Sequence, residues 1–160
     1  MEGGNQVITV VCTGNVCRSP MAERLLQHAL AAQPEPLSSI RVYSAGVSAF
    51  PGDPASRHAV EALRKVKLDL TDHRSRPLSG QLVEISDLLL TMTSSHKDII
   101  EARFPELKAP VFRFREWVDG GPREVPDPFG GPLEYYLDAR DSLAESIPSI
   151  INYLQTSFIQ

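Results

Sequence analysis

Residues 7–26 read VITVVCTGNVCRSPMAERLL, and this stretch decides the fold. It begins with a β-branched run, residues 7–11, which is typical of a buried parallel strand. From Ser19 onward, apolar residues recur at helical spacing with Pro20 in the first turn, which predicts a helix ending before Pro34. The loop between strand and helix lies where backbone amides and the helix dipole attract anions. The segment therefore predicts a phosphate-binding loop between the first strand and the first helix.

The rest of the sequence continues the alternation of strands and helices. Further strands are predicted at residues 40–43, 86–91 and 110–114, the last beginning at a proline and so expected at a sheet edge. Further helices are predicted at residues 54–67, 78–85, 94–104 and 133–154, the last with a kink or restart at Pro148. Residues 120–132, with four Gly and four Pro, predict a loop. We therefore expect one α/β domain, residues 1–160, with a four-stranded parallel sheet and helices on both faces.

Composition limits the classes of partner. The chain has 160 residues, of which 42% are hydrophobic and 22% charged, as in soluble globular proteins. A net charge of -4 argues against nucleic acid or an anionic membrane as a general partner. No apolar run is long enough to span a membrane, and the short run near the start lacks the basic flank of a signal peptide. We expect a cytoplasmic protein, and the sequence is compatible with a monomer.

Cysteine usage agrees with a reducing compartment. The two cysteines, Cys12 and Cys17, lie close together at the head of the chain and cannot form the disulfide framework of a secreted fold. The four histidines show no metal-ligand spacing around them. We therefore expect no metal site and no cofactor.

The residue types between strand and helix suit phosphate chemistry. Gly14 lets the chain curl with its amides inward, and Asn15 tolerates left-handed backbone and can brace the loop. Arg18 supplies a fork of donors for two phosphate oxygens. Cys12 is expected to point into these donors as a nucleophilic thiolate, with a hydroxyl donated by Ser19.

A plainer interpretation remains open for these residues. Cys12 could be a small apolar residue at a strand end, and Arg18 an exposed cation at a helix start. A Cys followed six positions later by Arg is a weak signal alone. The Gly and Asn between them, the Ser-Pro after them and the strand-to-helix junction favour the catalytic interpretation.

Asp127 is a candidate general acid. Expulsion of a poor leaving group requires a proton, which a carboxyl group on a Gly/Pro-rich loop could deliver. The alternative is an ordinary turn aspartate, because Asp-Pro favours turns.

At these residues the sequence resembles the low-molecular-weight protein tyrosine phosphatases, whose motif is Cys, five residues, Arg and Ser at this junction. The likeness extends over nearly the whole chain and includes residues 12–23, Ser44-Ala45-Gly46, His73 within residues 71–74, and Asp127-Pro128. The resemblance implies a four-stranded parallel sheet, a cysteinyl-phosphate intermediate, a phosphorylated protein as substrate, and no metal.

The resemblance also implies roles for individual positions. Cys12 would be the nucleophile, Arg18 the phosphate clamp, and Asp127 the acid and then the base. The expected phosphate-binding and loop-supporting residues are Thr13, Gly14, Asn15, Val16, Cys17, Ser19, Ser44 and His73. Cys17 could trap oxidised Cys12 as a reversible disulfide, or be a packed thiol.

Two positions bear on the substrate. Where the family's tyrosine phosphatases usually have two tyrosines after Asp-Pro, this chain has Phe129-Gly130-Gly131, which predicts one aromatic wall and a more open rim. That run resembles the bacterial branch that includes protein-arginine phosphatases. In that branch a threonine occupies the position of Val16, so the hydroxyl expected to contact a guanidinium is missing.

These positions leave Val16 and Phe129 as the expected pocket residues. We therefore expect a protein-tyrosine phosphatase, with a protein-arginine phosphatase as the alternative. An arsenate reductase would need a further downstream cysteine, and a non-catalytic phosphate-binding module would need neither the thiol nor the acid.

Overall fold

The computed structural model describes residues 5–158. Its sheet contains four parallel strands in the order β2-β1-β3-β4, namely β1 (Val7–Cys12), β2 (Arg41–Gly46), β3 (Leu88–Thr91) and β4 (Val111–Arg113). Five α-helices lie in the described part of the chain, α1 (Arg18–Ala31), α2 (Arg57–Arg64), α3 (Gly80–Ile85), α4 (Ser94–Arg103) and α5 (Leu133–Tyr153). The predicted α/β class, with four parallel strands, is confirmed. Residues 1–4 and 159–160 of the predicted domain lie outside the described residues.

The strands are buried because both faces of the sheet are covered. Successive side chains of a strand point to opposite faces, so Val10 joins the cluster that includes α1, α2 and α5, while Val11 joins the cluster that includes α3 and α4. β1 lies between β2 and β3, and all six of its residues are buried. This central position directs its last residue, Cys12, to the carboxyl end of the sheet, where ligands of such folds bind.

Helix α2 is shorter than the predicted helix over residues 54–67. The residues before it are not helical. Ser56 is extended, and its amide donates to the carbonyl of Val16 at 2.9 Å instead of continuing a helix toward residue 54. After Arg64 the chain turns at Lys67, which has a left-handed φ of 65°. The amide of Leu68 then donates to the carbonyl of Leu63 at 3.0 Å. Tertiary contacts and a left-handed turn therefore set both ends.

The last helix does not restart at Pro148. α5 continues through this residue to Tyr153 and is followed by a π-helical turn, Leu154–Phe158. A proline inside a helix removes one backbone hydrogen bond. Burial of Leu143, Ile147 and Ile150 on the same helix face compensates for that loss. Within the described residues, no helix is both long and apolar enough to cross a membrane.

Candidate active site

The loop between β1 and α1, residues 12–18, curls around its own first residue. Its left-handed residue is Asn15, with φ 59°, whereas Gly14 is not among the residues with positive φ. The tight curl expected of Gly14 is therefore provided by Asn15, a residue type that tolerates this conformation. Gly46, at the end of β2, packs directly beside the loop, where a side chain would collide with the carbonyl oxygen of Thr13.

The sulfur of Cys12 faces hydrogen-bond donors. The amide of Asn15 donates to Cys12 Sγ at 3.3 Å, and the hydroxyl of Ser19 lies 2.9 Å from the same sulfur. All three residues are almost completely buried. Donors that converge on one buried point are an arrangement suited to binding an anion.

The side chain of Asn15 connects the loop to β2 and to the segment before α3. Its Nδ2 donates to the hydroxyls of Ser19 at 2.9 Å and Ser44 at 3.0 Å, and Ser44 in turn donates to Glu23 Oε1 at 2.6 Å. Its Oδ1 accepts from the amide of Arg76 at 2.9 Å. These contacts satisfy both ends of a buried amide, so Asn15 is fixed in its left-handed conformation.

His73 holds the same residue through the backbone. Its Nε2 lies 2.8 Å from the carbonyl oxygen of Asn15, so this nitrogen carries the proton and donates. Burial lowers the pKa of His73, although the bond to Asn15 acts in the opposite direction. His73 is therefore a neutral donor near pH 7. Ser44 and His73, both placed near the loop by resemblance, lie against Asn15.

Arg18 connects the 12–18 loop to the Gly/Pro-rich loop. Its side chain is buried, its Nη1 donates to the carbonyl of Val125 at 2.9 Å, and its Nη2 lies 3.7 Å from Asp127 Oδ2. Asp127 is more exposed, with 53% of its side-chain surface accessible, and its Oδ1 accepts from the amide of Phe129 at 3.0 Å. The structure thus brings Cys12, Arg18 and Asp127 to one cavity.

This cavity has a volume of about 320 Å³ and contains two aromatic walls. One is Phe129, as expected, and the other is Phe50, from the loop after β2; both rings are highly exposed. The expectation of a single aromatic wall is therefore wrong, because a distant loop supplies the second ring. Val16 and Asp53 also border the cavity. The only sequence signal for Phe50 and Asp53 is the turn-forming run FPGDP at residues 50–54.

Cys17 is buried beside this cavity in a different environment. Its sulfur lies 3.4 Å from the hydroxyls of both Ser56 and Tyr136. Burial raises the pKa of Cys17, and the charge of Cys12 adds to that rise. Cys17 is therefore held as a neutral thiol at pH 7. Tyr136 is buried and its neighbour Tyr135 is exposed, because consecutive residues of a helix point in different directions.

His96 is a neighbour of the loop that sequence reasoning missed. Its Nε2 lies 2.9 Å from the hydroxyl of Thr13, while its Nδ1 is buried without a hydrogen-bond partner among the described residues. A bare lone pair is less costly to bury than an unpaired N–H, so Nε2 is the protonated nitrogen. Burial, and then the charge of Arg18, lower the pKa of His96 to about 4. Its position at the start of α4 gave no motif by which to find it.

The described residues contain no group of three or more His, Cys, Asp or Glu side chains arranged to hold a metal ion. The chemistry that this cavity supports is nucleophilic. It combines a shielded thiol, a guanidinium for anionic oxygens and a carboxyl group at the rim.

Comparisons with known proteins agree with this arrangement. The sequence model of the low molecular weight phosphotyrosine protein phosphatases matches residues 7–158. A protein-arginine-phosphatase of Bacillus subtilis (strain 168) is 44% identical, over 92% of this chain and 96% of the relative. The crystal structure of a low molecular weight protein tyrosine phosphatase from T. tengcongensis has a TM-score of 0.84 at 38% identity, and covers 93% of this chain and 99% of its own.

A further solved structure bears on the chemistry. It is a mutant of the YwlE arginine phosphatase with a phosphorylated active-site serine, and it has a TM-score of 0.84 at 41% identity, covering 95% of this chain and 97% of its own. The family model and these relatives thus extend over nearly all of the chain. It follows that the protein belongs to the low molecular weight phosphotyrosine protein phosphatase family.

Proposed function

We propose that this protein is a protein-tyrosine phosphatase that forms a cysteinyl-phosphate intermediate on Cys12. The observation that carries the proposal is the environment of that sulfur, which lies among buried donors with Arg18 in the same loop. Donors that stabilise a thiolate also stabilise the equatorial oxygens of a phosphoryl group during its transfer. The same loop would therefore activate the nucleophile and bind the group that it attacks.

The reaction has two steps with balanced proton transfers. In the first, the Cys12 thiolate attacks phosphorus, the bond from phosphorus to the leaving oxygen breaks, and Asp127 gives its proton to that oxygen. In the second, water attacks the phosphocysteine, Asp127 accepts a proton from the water, and the sulfur–phosphorus bond breaks to release inorganic phosphate. Arg18 binds two non-bridging oxygens in both steps. Water is the only co-reactant.

The walls of the cavity support an aryl phosphate as substrate. Phe50 and Phe129 present exposed rings at the cavity, and Val16 adds an apolar methyl surface. A phenyl ring bound between two aromatic side chains gains both apolar burial and ring–ring contact. Phosphotyrosine supplies that ring, whereas a hydroxyl at position 16 would have suited a polar leaving group better.

A protein-arginine phosphatase is the second candidate, and specific observations favour it. Two acidic residues, Asp53 and Asp127, line the cavity, and acidic side chains suit the guanidinium of phosphoarginine. The Bacillus subtilis relative carries the name protein-arginine-phosphatase. Both candidates use the same nucleophile, clamp and acid, so only the leaving-group side of the cavity separates them.

We further propose that the protein acts on phosphorylated proteins in the cytoplasm. A nucleophilic thiol persists in the cytoplasm, where glutathione and thioredoxin keep cysteines reduced. The net charge of -4 gives no general attraction to nucleic acid or to anionic membranes.

A side-by-side assay tests the function and the substrate together. Peptides of one sequence, carrying either phosphotyrosine or phosphoarginine, are hydrolysed with chelator present by the unmutated protein, by Val16→Thr and by Cys12→Ser. We expect a higher kcat/KM for phosphotyrosine, and a shift of the ratio toward phosphoarginine in Val16→Thr. The shift is bounded by about 10², because an apolar pocket rejects an extra polar group only weakly. Cys12→Ser should be inactive but still bind inorganic phosphate.

A different result would contradict each part of the proposed function. Substantial turnover by Cys12→Ser would overturn the nucleophile, and loss of activity with chelator would overturn the metal-free mechanism. Faster hydrolysis of phosphoarginine by the unmutated protein would replace the first candidate with the second. An unchanged ratio of kcat/KM values in Val16→Thr would show that the side chain at position 16 does not set the preference between the two substrates.

A further inference from the structure

The loop that carries Phe50, residues 47–56, is held by different groups at its ends and in its middle. At its two ends it is fixed to the 12–18 loop: the amide of Ser48 donates to the carbonyl of Thr13, and the amide of Ser56 donates to that of Val16, both at 2.9 Å. In its middle, Phe50 has 78% of its surface exposed and lies outside both hydrophobic clusters of the described residues. The direction of this ring is therefore set by its backbone and not by packing.

The middle of the 47–56 loop is held by one buried residue, Ser75, which is 3% exposed and contributes both its hydroxyl and its backbone. Its hydroxyl donates to the carbonyl of Phe50 and accepts from the amide of Asp53 at 2.9 Å. Its backbone amide donates to the carbonyl of Asp53 at 2.7 Å, and its carbonyl accepts from Gly52 at 2.8 Å. Gly52 has a φ of 90°, which allows the turn to close around Ser75.

The residues that flank Ser75 contact the 12–18 loop. His73 and Arg76 both bind Asn15, the first through its ring and the second through its amide. The segment 73–76 thus holds the phosphate end of the cavity through Asn15 and the leaving-group end through Ser75. Removing the hydroxyl of Ser75 leaves both contacts to Asn15 in place, so the two ends can be perturbed independently.

We propose that Ser75 is a specificity-determining positioning residue, which fixes Phe50 and Asp53 along the leaving-group side of the cavity. The inference rests on the proposed phosphatase function and adds a residue that touches neither the phosphoryl group nor the nucleophile. Because Ser75 acts through Phe50, its effect depends on the size of the group attached to phosphorus. A ligand with a phenyl ring senses Ser75, whereas a ligand with a methyl group does not.

Two phosphonates of matched charge test this without turnover. Benzylphosphonate and methylphosphonate are titrated by calorimetry into the unmutated protein, Ser75→Ala and Ser79→Ala. Ser79 is a matched control, because its hydroxyl caps α3 by accepting from Leu82 at 3.1 Å, away from the cavity. We expect Ser75→Ala to weaken benzylphosphonate binding about two- to tenfold, as for the loss of one well-placed aromatic contact. Methylphosphonate binding and the Ser79→Ala variant should be unchanged.

A double-mutant cycle separates positioning from general destabilisation. If Ser75 acts through Phe50, then Ser75→Ala added to Phe50→Ala should change benzylphosphonate binding by less than about twofold, so that the two effects are not additive. Equal weakening of both phosphonates, or additive effects in the cycle, would overturn the proposal. If Ser75→Ala does not fold, Ser75→Cys replaces it with the same expectations, because a thiol keeps the size but bonds weakly.

The proposed function and this inference fail in different ways. An unmutated protein that binds neither phosphonate and hydrolyses no aryl phosphate would overturn the phosphatase proposal. An active protein whose preference for benzylphosphonate over methylphosphonate is the same in Ser75→Ala would overturn only the role of Ser75.

Discussion

Cys12 and Cys17 are five residues apart, yet their surroundings give the two thiols opposite chemistry. Cys12 faces an amide and a serine hydroxyl in the 12–18 loop. Cys17 contacts Ser56 and Tyr136, and burial raises its pKa. At the scale of single residues, one thiol lies among donors at the cavity and the other is kept protonated by burial. Cys17 is the other cysteine of the sequence and is close to Cys12 along the chain, which makes it a candidate partner for an oxidised Cys12.

We therefore predict that Cys17→Ser changes recovery from peroxide but not the initial loss of activity. Peroxide converts the Cys12 thiolate to a sulfenic acid, and the Cys17 thiol then forms a disulfide with release of water, which dithiothreitol reduces. Without Cys17, Cys12 should proceed to the sulfinic acid and stay inactive. The measurement is the activity recovered after dithiothreitol.

A matched control for this prediction is Ser56→Ala, which removes a hydroxyl contact from Cys17 but keeps the thiol. It should recover as the unmutated protein does. If Cys17→Ser also recovers fully, Cys17 is a packed thiol and not a resolving one.

At the scale of elements, the Gly/Pro-rich loop at residues 120–132 is held along its length. The carbonyl of Pro122 accepts from Arg115 at 2.6 Å, and Glu124 accepts from the amide of Ser94, at the start of α4, at 2.8 Å. The amide of Val125 donates to Met92 at 3.0 Å, and its carbonyl accepts from Arg18. These contacts precede Asp127 directly. The carboxyl group is therefore presented from a fixed segment, despite the glycines and prolines around it.

This placement predicts how Asp127→Ala depends on the leaving group. A general acid matters most when the departing oxygen is a strong base, so kcat/KM, which covers only the steps up to departure of the leaving group, should fall about 10²–10⁴-fold for alkyl phosphates. The loss should be much smaller for nitrophenyl phosphates, whose phenolate leaves without a proton. The measurement is the slope of log(kcat/KM) against the leaving-group pKa, which should become steeper in the variant.

The control for Asp127→Ala is Asp119→Ala, a carboxyl group that is exposed just before the same loop. It should leave the slope unchanged. An equal loss for all leaving groups in Asp127→Ala would assign Asp127 to the structure of the loop, and a steeper slope in Asp119→Ala would move the acid to that residue.

The elements also show what the sequence could predict and what it could not. Periodicity and β-branched runs located the four strands and five helices, because burial of β1 and α1 leaves a local pattern. The boundaries of α2 depend on a backbone bond to Val16, and the course of α5 past Pro148 depends on core packing, so neither has a local signal. In the cavity, residues of the 12–18 loop were predictable from one segment, whereas Phe50 arrives from another loop.

At the scale of the whole molecule, two buried histidines beside the site make the free energy of unfolding depend on pH. His73 and His96 both lie against the 12–18 loop, and burial lowers the pKa of each. The groups acting on His96 are Arg18, which lowers its pKa further, and Asp127 and Glu124, which raise it. Each ring is buried in its neutral form, so its protonation opposes folding.

The last prediction concerns the pH dependence of unfolding. In the unfolded chain His96 would protonate near pH 6.5, whereas in the folded protein its pKa is about 4. Between these values the unfolded state binds more protons, so the free energy of unfolding falls as the pH falls from about 6.5 to 4 and is unaffected by His96 above that window. From urea titrations at pH 7 and pH 4.5, we expect the unmutated protein to lose about 2 kcal/mol more than His96→Asn loses. His28→Asn, which replaces an exposed histidine of α1, is the control and should behave as the unmutated protein does. Equal losses in the unmutated protein and His96→Asn would show that His96 is not buried in its neutral form.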